Sequence, residues 1–153
     1  MHIICEKEID AHNIIVSPRP VWKCMTCPMH GKTASCPPFA PSWQEAREWI
    51  CSFQKALTVK FAIDMDNYEK EKRSVSYWLL EKEKKYFNEG YLYAFALFPG
   101  NCNLCYKCEF EKTQKCAYTT KVRPSLDAIG IEINSLTRID FTESVLYGLI
   151  LID

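Results

Sequence analysis

The chain has 153 residues, 19 Lys and Arg against 19 Asp and Glu, and a composition 48% hydrophobic, 13% aromatic and 25% charged. That mix excludes an intrinsically disordered chain, and the zero net charge excludes an overall field that would draw in nucleic acid or an anionic membrane. One domain over residues 1–153 is expected, large enough to bury roughly 70% of its unfolded surface without staples.

The N-terminal MHIICEKEID carries acids where a secretory signal would be apolar. Residues 1–17 alternate weakly, and NIIVS reads as a short strand. Six prolines between Pro18 and Pro41 then predict an ordered loop over residues 18–41, because proline fixes φ and removes a donor. Ser42 with Glu45 three residues on forms a capping box, and Trp43, Ala46, Trp49, Ile50 and Phe53 recur at helical spacing behind it. ALTVKFAID (56–64) reads as a strand. Residues 66–89 read as a long surface helix with Val75, Trp78, Leu79 and Tyr86 as its apolar stripe. Glu69–Arg73 and Glu81–Lys85 are expected to pair along it, and Gly90 ends it.

YLYAFALF (91–98) reads as a second strand, apolar enough to be central. RPSLDAIG (123–130) reads as a short helix with Ser125 as N-cap, Asp127 in the first turn and Gly130 as stop. VLYGLILI (145–152) is a last buried strand, expected antiparallel. This apolar run and YLYAFALF are the longest, at eight residues each, far short of the ~20 that span a bilayer. The protein is therefore expected to be soluble and cytoplasmic, with no membrane partner. The strand–helix–strand order over 56–98 predicts a crossover connecting two parallel strands. The expected fold class is α/β (α+β): one mixed β-sheet flanked by helices, with two cysteine-rich metal-binding loops at one end.

Nine cysteines stand in the chain, seven of them in two groups. In a reducing cytosol such clusters point to a metal or redox site rather than to disulfides. Cys102, Cys105, Cys108 and Cys116 form a Cys-x2-Cys-x2-Cys-x7-Cys run. Each two-residue gap lets the next thiolate reach a neighbouring corner of an iron–sulfide cube. Ferredoxins use the same run, but here the last cysteine comes seven residues on and lacks the following proline, so Cys116 has two clusters it could serve. Zinc also takes four thiolates, usually as two separated Cys-x2-Cys pairs. The first group, Cys24, Cys27 and Cys36, offers three thiolates, enough for a second cluster with one open iron. Cys5, Cys51, His30 and Cys116 are the candidates for its fourth ligand.

Beside these stand plainer readings. Cys5 and Cys51 are isolated and read as buried small hydrophobes. His30 reads as a solvated loop residue, and the charged run 69–85 as a solvated helix face. The aromatics at 91, 93, 95 and 98 read as core rather than as an electron path. Arg123 is a candidate to bind an anion at a helix N-terminus or to neutralise a thiolate cluster.

Together, CMTCPMHGKTASCPP, PGNCNLCYKC and CAYTTKVRPSLDAIGIEI resemble the DUF2284 family of predicted metal-binding proteins, found mainly in anaerobic bacteria and archaea. The resemblance covers residues 22 to about 133. It departs from the family pattern at Met29-His30-Gly31, at Asn101 and at Leu126-Asp127, but removes no cysteine. It implies metal ligands at Cys24, Cys27, Cys36, Cys102, Cys105, Cys108 and Cys116, and no established reaction.

The expected function is thus a metal-binding protein carrying one or two [4Fe–4S] clusters, or alternatively zinc, and acting in electron transfer with a redox partner protein. The alternatives are an iron–sulfur enzyme whose open cluster on Cys24, Cys27 and Cys36 binds a small-molecule substrate, and a zinc-stapled interaction module. No nucleic-acid partner is expected.

Overall fold

The computed structural model describes residues 1–153, and its core is laid down by two apolar strands. β2 (Lys55–Ala62) is buried at most positions, and β4 (Val145–Leu151) at its last four. They pair antiparallel, with Val59 opposite Gly148 and Leu57 opposite Ile150. β1 (His2–Asp10) joins the other side of β2, and β3 (Phe95–Leu97) the other side of β4, giving the order β1-β2-β4-β3.

Strand alternation distributes the side chains to two buried faces. Leu57, Val59, Phe61 and Ile150 pack against Val75 and Leu79 of α3 (Tyr68–Asn88). Ala56, Leu149 and Leu151 pack on the opposite side, against Ala46 and Ile50 of α2 (Trp43–Cys51) and against Leu126, Ile129 and Ile131. The fold is α+β, a sheet covered on both faces. The capping box of α2 is complete: Glu45 N donates to Ser42 Oγ at 3.3 Å and Ser42 N to Glu45 Oε2 at 3.0 Å. α3 stops before Gly90, which takes φ +104°. No helix is long and apolar enough to cross a membrane.

Several expectations are corrected. All neighbouring strand pairs are antiparallel, so the sheet is not mixed. The strands on either side of α3 do run the same way, but β4 lies between them. The N-terminal strand is 2–10 rather than NIIVS, which contributes one bridge, Val16 to Ile131. β1 is an exposed edge strand, and its many charged residues hide the period. The 91–98 segment yields only three strand residues, at an edge. Its aromatics divide accordingly: Phe98 is buried, Tyr91 and Phe95 are half-buried, and Tyr93 is 81% exposed. Neither expected ion pair forms on α3. Arg73 Nε donates instead to the Asn103 carbonyl at 2.8 Å, and Lys85 approaches Glu89 at 3.9 Å.

The β3 edge is sealed by other means. Phe98 N donates to Pro124 O at 3.0 Å and Leu126 N to Phe98 O at 3.1 Å, so residues 124–126 run along the edge. Glu83 Oε2 from α3 accepts Ala96 N at 2.6 Å. The same carboxylate takes Arg123 in a two-point pair, at 2.9 and 2.6 Å, and the guanidinium lies 4.8 Å over the Phe95 ring. Arg123 therefore holds a sheet edge and is not free for an anion or a thiolate cluster. Both side chains are mostly buried, at 13% and 15% exposed. Glu83→Ala should cost about 3 kcal/mol, the lower end for removing one partner of such a pair. Urea unfolding should show this as a lower midpoint, whereas Glu81→Ala, which breaks no ion pair, should move it little.

Candidate metal centre

The first cysteine group hangs from a short helix, α1 (Pro18–Cys24), where a loop was expected. Its prolines fall in the first turn, where a missing N–H costs nothing, and Ser17 Oγ caps the start by accepting Arg19 N at 3.3 Å. α1 is fastened to the segment before β4. Ser17 N donates to Gly130 O at 2.8 Å, and Glu132 accepts Ser17 Oγ at 2.5 Å and Arg19 at 2.9 and 2.5 Å. Gly130 has φ +84°, and a Cβ there would run into the Ser17 carbonyl and the Trp43 side chain, so the joint needs glycine. The short helix expected over 123–130 is a single 3-10 turn at Asp127–Ile129 whose N-cap is Leu126 and not Ser125, although Ser125 Oγ still accepts Ala128 N at 3.1 Å.

Cys24, Cys27 and Cys36 line one cavity of about 280 Å3, together with Lys23, His30, Asn101 and Asp127. Cys36 is buried, Cys24 half-buried and Cys27 exposed. Cys102, Cys105, Cys108 and Cys116 line a second cavity of about 70 Å3, with Leu104 and Phe110 among its apolar walls. Cys116 reaches it because α4 (Phe110–Thr113) and Gln114, at φ +56°, turn the chain back. All nine cysteines are free thiols. The seven grouped ones share cavity walls without converging: no three Cys, His, Asp or Glu side chains stand at metal-holding spacing. Cys5 and Cys51 are exposed, not buried as expected, and line neither cavity. β1 leaves Cys5 on an uncovered edge, and Cys51 ends α2 at the surface.

The two groups are bound to each other. Cys102 N donates to Ser35 Oγ at 2.7 Å. Ser35 Oγ and Thr33 Oγ1 are 2.8 Å apart, and Thr33 Oγ1 donates to Cys36 Sγ at 3.2 Å. Since the single Thr33 hydroxyl proton goes to sulfur, Ser35 is the donor to Thr33. A one-way chain results, from the Cys102 amide through two hydroxyls to the sulfur of Cys36. Such chains strengthen one another and favour negative charge where they end. Met29 N adds a donor to Cys27 Sγ at 3.4 Å. Phe39 and Phe110 meet edge to face at 4.9 Å, a second bond between the two loops.

Burial pushes the Cys24 thiol up to about 11, with Asp127, Cys36 and Cys27 adding to the rise. Burial also pushes Cys102 up to about 11, reinforced by Cys116, Cys105 and Cys108 and opposed by the Leu104 amide. Cys105 is raised by burial and then by Cys108 and Cys116. Thiols so placed resist ionising together unless a cation joins them, and binding one releases their protons.

Sequence reasoning missed four residues. Thr33 and Ser35 are buried, and nothing in a loop sequence marks them as relays. Asp127, read only as a helix-start residue, faces the first cavity, and burial holds its carboxyl above the usual range. Lys72, read as part of a solvated face, is 2% exposed. Its signal was present: Lys72, Val75, Ser76 and Leu79 follow the i, i+3, i+4, i+7 pattern of a buried helix face. Its ammonium donates to Asn101 Oδ1 at 2.7 Å, and burial holds its pKa below the ordinary lysine value.

Residues 7–143 match the family described as "Predicted metal-binding protein (DUF2284)". The chain belongs to the DUF2284 family. No curated protein and no solved structure matches it. The donor set suits the family description: seven thiols on two adjoining cavities, with hydroxyl and amide donors aimed at their sulfurs. A metal held there would be bound by soft thiolates, the ligands that zinc and iron–sulfur clusters take.

Two outcomes follow for this DUF2284 protein. Ser35→Ala leaves the Cys102 amide without its partner, and should cost about 1–3 kcal/mol in thermal or urea unfolding. Glu132 accepts from Arg19 and Ser17, and these bonds hold its carboxyl below the usual range. A carboxyl lowered on folding adds stability above its unfolded pKa of about 4.3 and loses it as the pH falls toward the folded value. Melting of metal-free Glu132→Gln should therefore fall less steeply than wild type below about pH 4.3, with the difference between them widest near neutrality.

Proposed function

We propose that this chain is an iron–sulfur protein that passes single electrons to a partner protein in the cytoplasm of an anaerobe. In this reading one [4Fe–4S] cluster is held by Cys102, Cys105, Cys108 and Cys116, and Cys24, Cys27 and Cys36 seat a second. The observation that supports it is that four thiols of one short stretch line a single small cavity whose walls are otherwise largely apolar. Three of them come from a Cys-x2-Cys-x2-Cys run, which suits a cube better than a tetrahedral zinc site. A bound cluster supplies reversible one-electron chemistry at a potential set by charge, exposure and hydrogen bonds to sulfur. The chain's own part is to hold the thiols, limit water and leave an approach open. Cys108 is exposed, and Tyr106 beside it is 94% exposed, so a partner surface reaches close to the sulfurs.

A second reading is favoured by the larger cavity. Three thiols there share walls with His30, Lys23 and Asp127, groups suited to exchanging protons with a bound small molecule. An iron held by three thiolates would keep a coordination position for substrate, acting as a Lewis acid.

Protein purified without oxygen decides among these. About four iron and four sulfide per chain, with broad absorption near 400 nm, are expected for one cubane and about eight of each for two. About one zinc without sulfide would overturn both readings and leave a zinc-stapled module. Cys105→Ser should remove about four iron, the content of one cubane. Cys5→Ala and Cys51→Ala should remove none, since neither lines a cysteine cavity. A spectrum that shifts on adding cyanide would favour the substrate-binding reading, and an inert spectrum the electron carrier.

A further inference from the structure

A buried charge without a partner is costly, and proteins remove it unless something compensates. Lys72 is such a charge. It lies within α3 at 2% exposure and forms no ion pair. Its one hydrogen bond goes to a neutral acceptor, Asn101 Oδ1, at 2.7 Å. The Tyr68 ring, 5.7 Å away, offers only a weak cation–π contact. Glu69, the carboxylate that acts on it most, is exposed and turned to Asn103 Nδ2 at 3.0 Å. Asn101 itself stands between the two cysteine groups: it lines the cavity of Cys24, Cys27 and Cys36, and it directly precedes Cys102. Its ammonium also stands behind Gly100, 3.5 Å from where a Cβ would sit, so the loop that starts the second group passes directly over it.

We infer that Lys72 is the internal counter-charge of the metal–thiolate centres, one ammonium set between the two groups and serving both. This rests on the metal-binding reading above and adds to it a residue that no cysteine motif contains. Thiolates that hold a metal or a cluster keep net negative charge, and in a low-dielectric interior that charge needs a fixed cation nearby. Lys72 reaches this position because α3 presents it on the buried face, in register with Val75 and Leu79. Asn101 orients the ammonium without neutralising it. Lys72 is thus a positioning residue, acting on the metal through charge and not as a ligand.

The test compares wild type with Lys72→Met, which keeps the length but not the charge, and with Lys72→Arg, which keeps the charge. Metal content of anaerobically purified wild type is read first. Metal-free Lys72→Met should then melt at or above the metal-free wild type, because an uncompensated buried charge is gone. The metal-loaded variant should hold its metal about 10–100-fold more weakly in a chelator challenge, the usual loss for an outer-shell partner. If the metal is an iron–sulfur cluster, its midpoint potential should move in the negative direction, since the reduced form loses a stabilising cation. Lys72→Arg should retain metal more nearly as wild type does. A Lys72→Met protein that loads and holds metal as wild type does, or whose metal-free form melts lower, overturns the counter-charge role alone. Wild type that binds no metal overturns the metal-binding reading and the role of Lys72 with it.

Discussion

The Ser35 hydroxyl is the joint on which the rest of the site depends. It is fully buried, it accepts the Cys102 amide, and it passes its own proton toward Thr33 and so toward Cys36. Its backbone carbonyl accepts Ser125 N at 3.2 Å, which brings in the segment carrying Asp127. One residue therefore ties the first cysteine loop, the second cysteine loop and the strap along β3. None of these three has a regular ladder of its own, so their backbone groups must be paired locally or left unsatisfied in the interior. The two cysteine groups are consequently parts of one folded unit, and loosening either loop exposes the polar groups of the other.

α3 supplies the rigid side of the same unit. Its inner face packs Val75 and Leu79 on the sheet, and its first two turns reach the second cysteine loop. Lys72 meets Asn101, Arg73 meets the Asn103 carbonyl and lies 4.3 Å from the Tyr106 ring, and Glu69 holds the Asn103 amide. Three positions of a loop with almost no secondary structure are thus fixed to a 21-residue helix whose inner face is packed in the core. The sulfurs follow from this, since Cys102 and Cys105 lie among residues already fixed. A site built on rigid elements in this way needs less reorganisation when a metal binds.

The elements legible in the sequence were those whose signals are local. The capping box at Ser42, the stop at Gly90 and the buried strands around Leu57 and Leu149 all rest on neighbouring residues. What was not legible depended on distant partners. YLYAFALF reads as a central strand because it is apolar, yet Leu92 and Tyr93 line an open apolar hollow with Trp49 and Pro41, and only Phe95–Leu97 joins the sheet. Pro18 and Pro20 suggest a loop, but a first helical turn accepts both once Ser17 caps it and Glu132, over a hundred positions away, anchors it. The cysteine grouping was legible from spacing, except for the side taken by Cys116, which the fold sets beside Cys102, Cys105 and Cys108. The hydroxyl chain from Cys102 to Cys36 was not, because its members are ordinary loop residues until the fold brings them within hydrogen-bonding distance.

The two thiol groups differ in a way that spacing alone does not show. Around Cys102, Cys105, Cys108 and Cys116 the space is small and the walls are largely apolar, with Cys108 left exposed at its rim. Around Cys24, Cys27 and Cys36 the space is about four times larger, 280 against 70 Å3, and Lys23, His30 and Asp127 stand in its wall. A small pocket with four donors favours a fully ligated centre, while a larger one with three donors leaves room for exchange with solvent or a ligand. The hydrogen-bond chain runs from the first kind of site to the second, ending on Cys36. A change of charge at the enclosed group would alter the donor strength of the Cys102 amide, and through Ser35 and Thr33 the electron density on a sulfur of the open group. The two thiol groups are for that reason parts of one polar network and not separate sites.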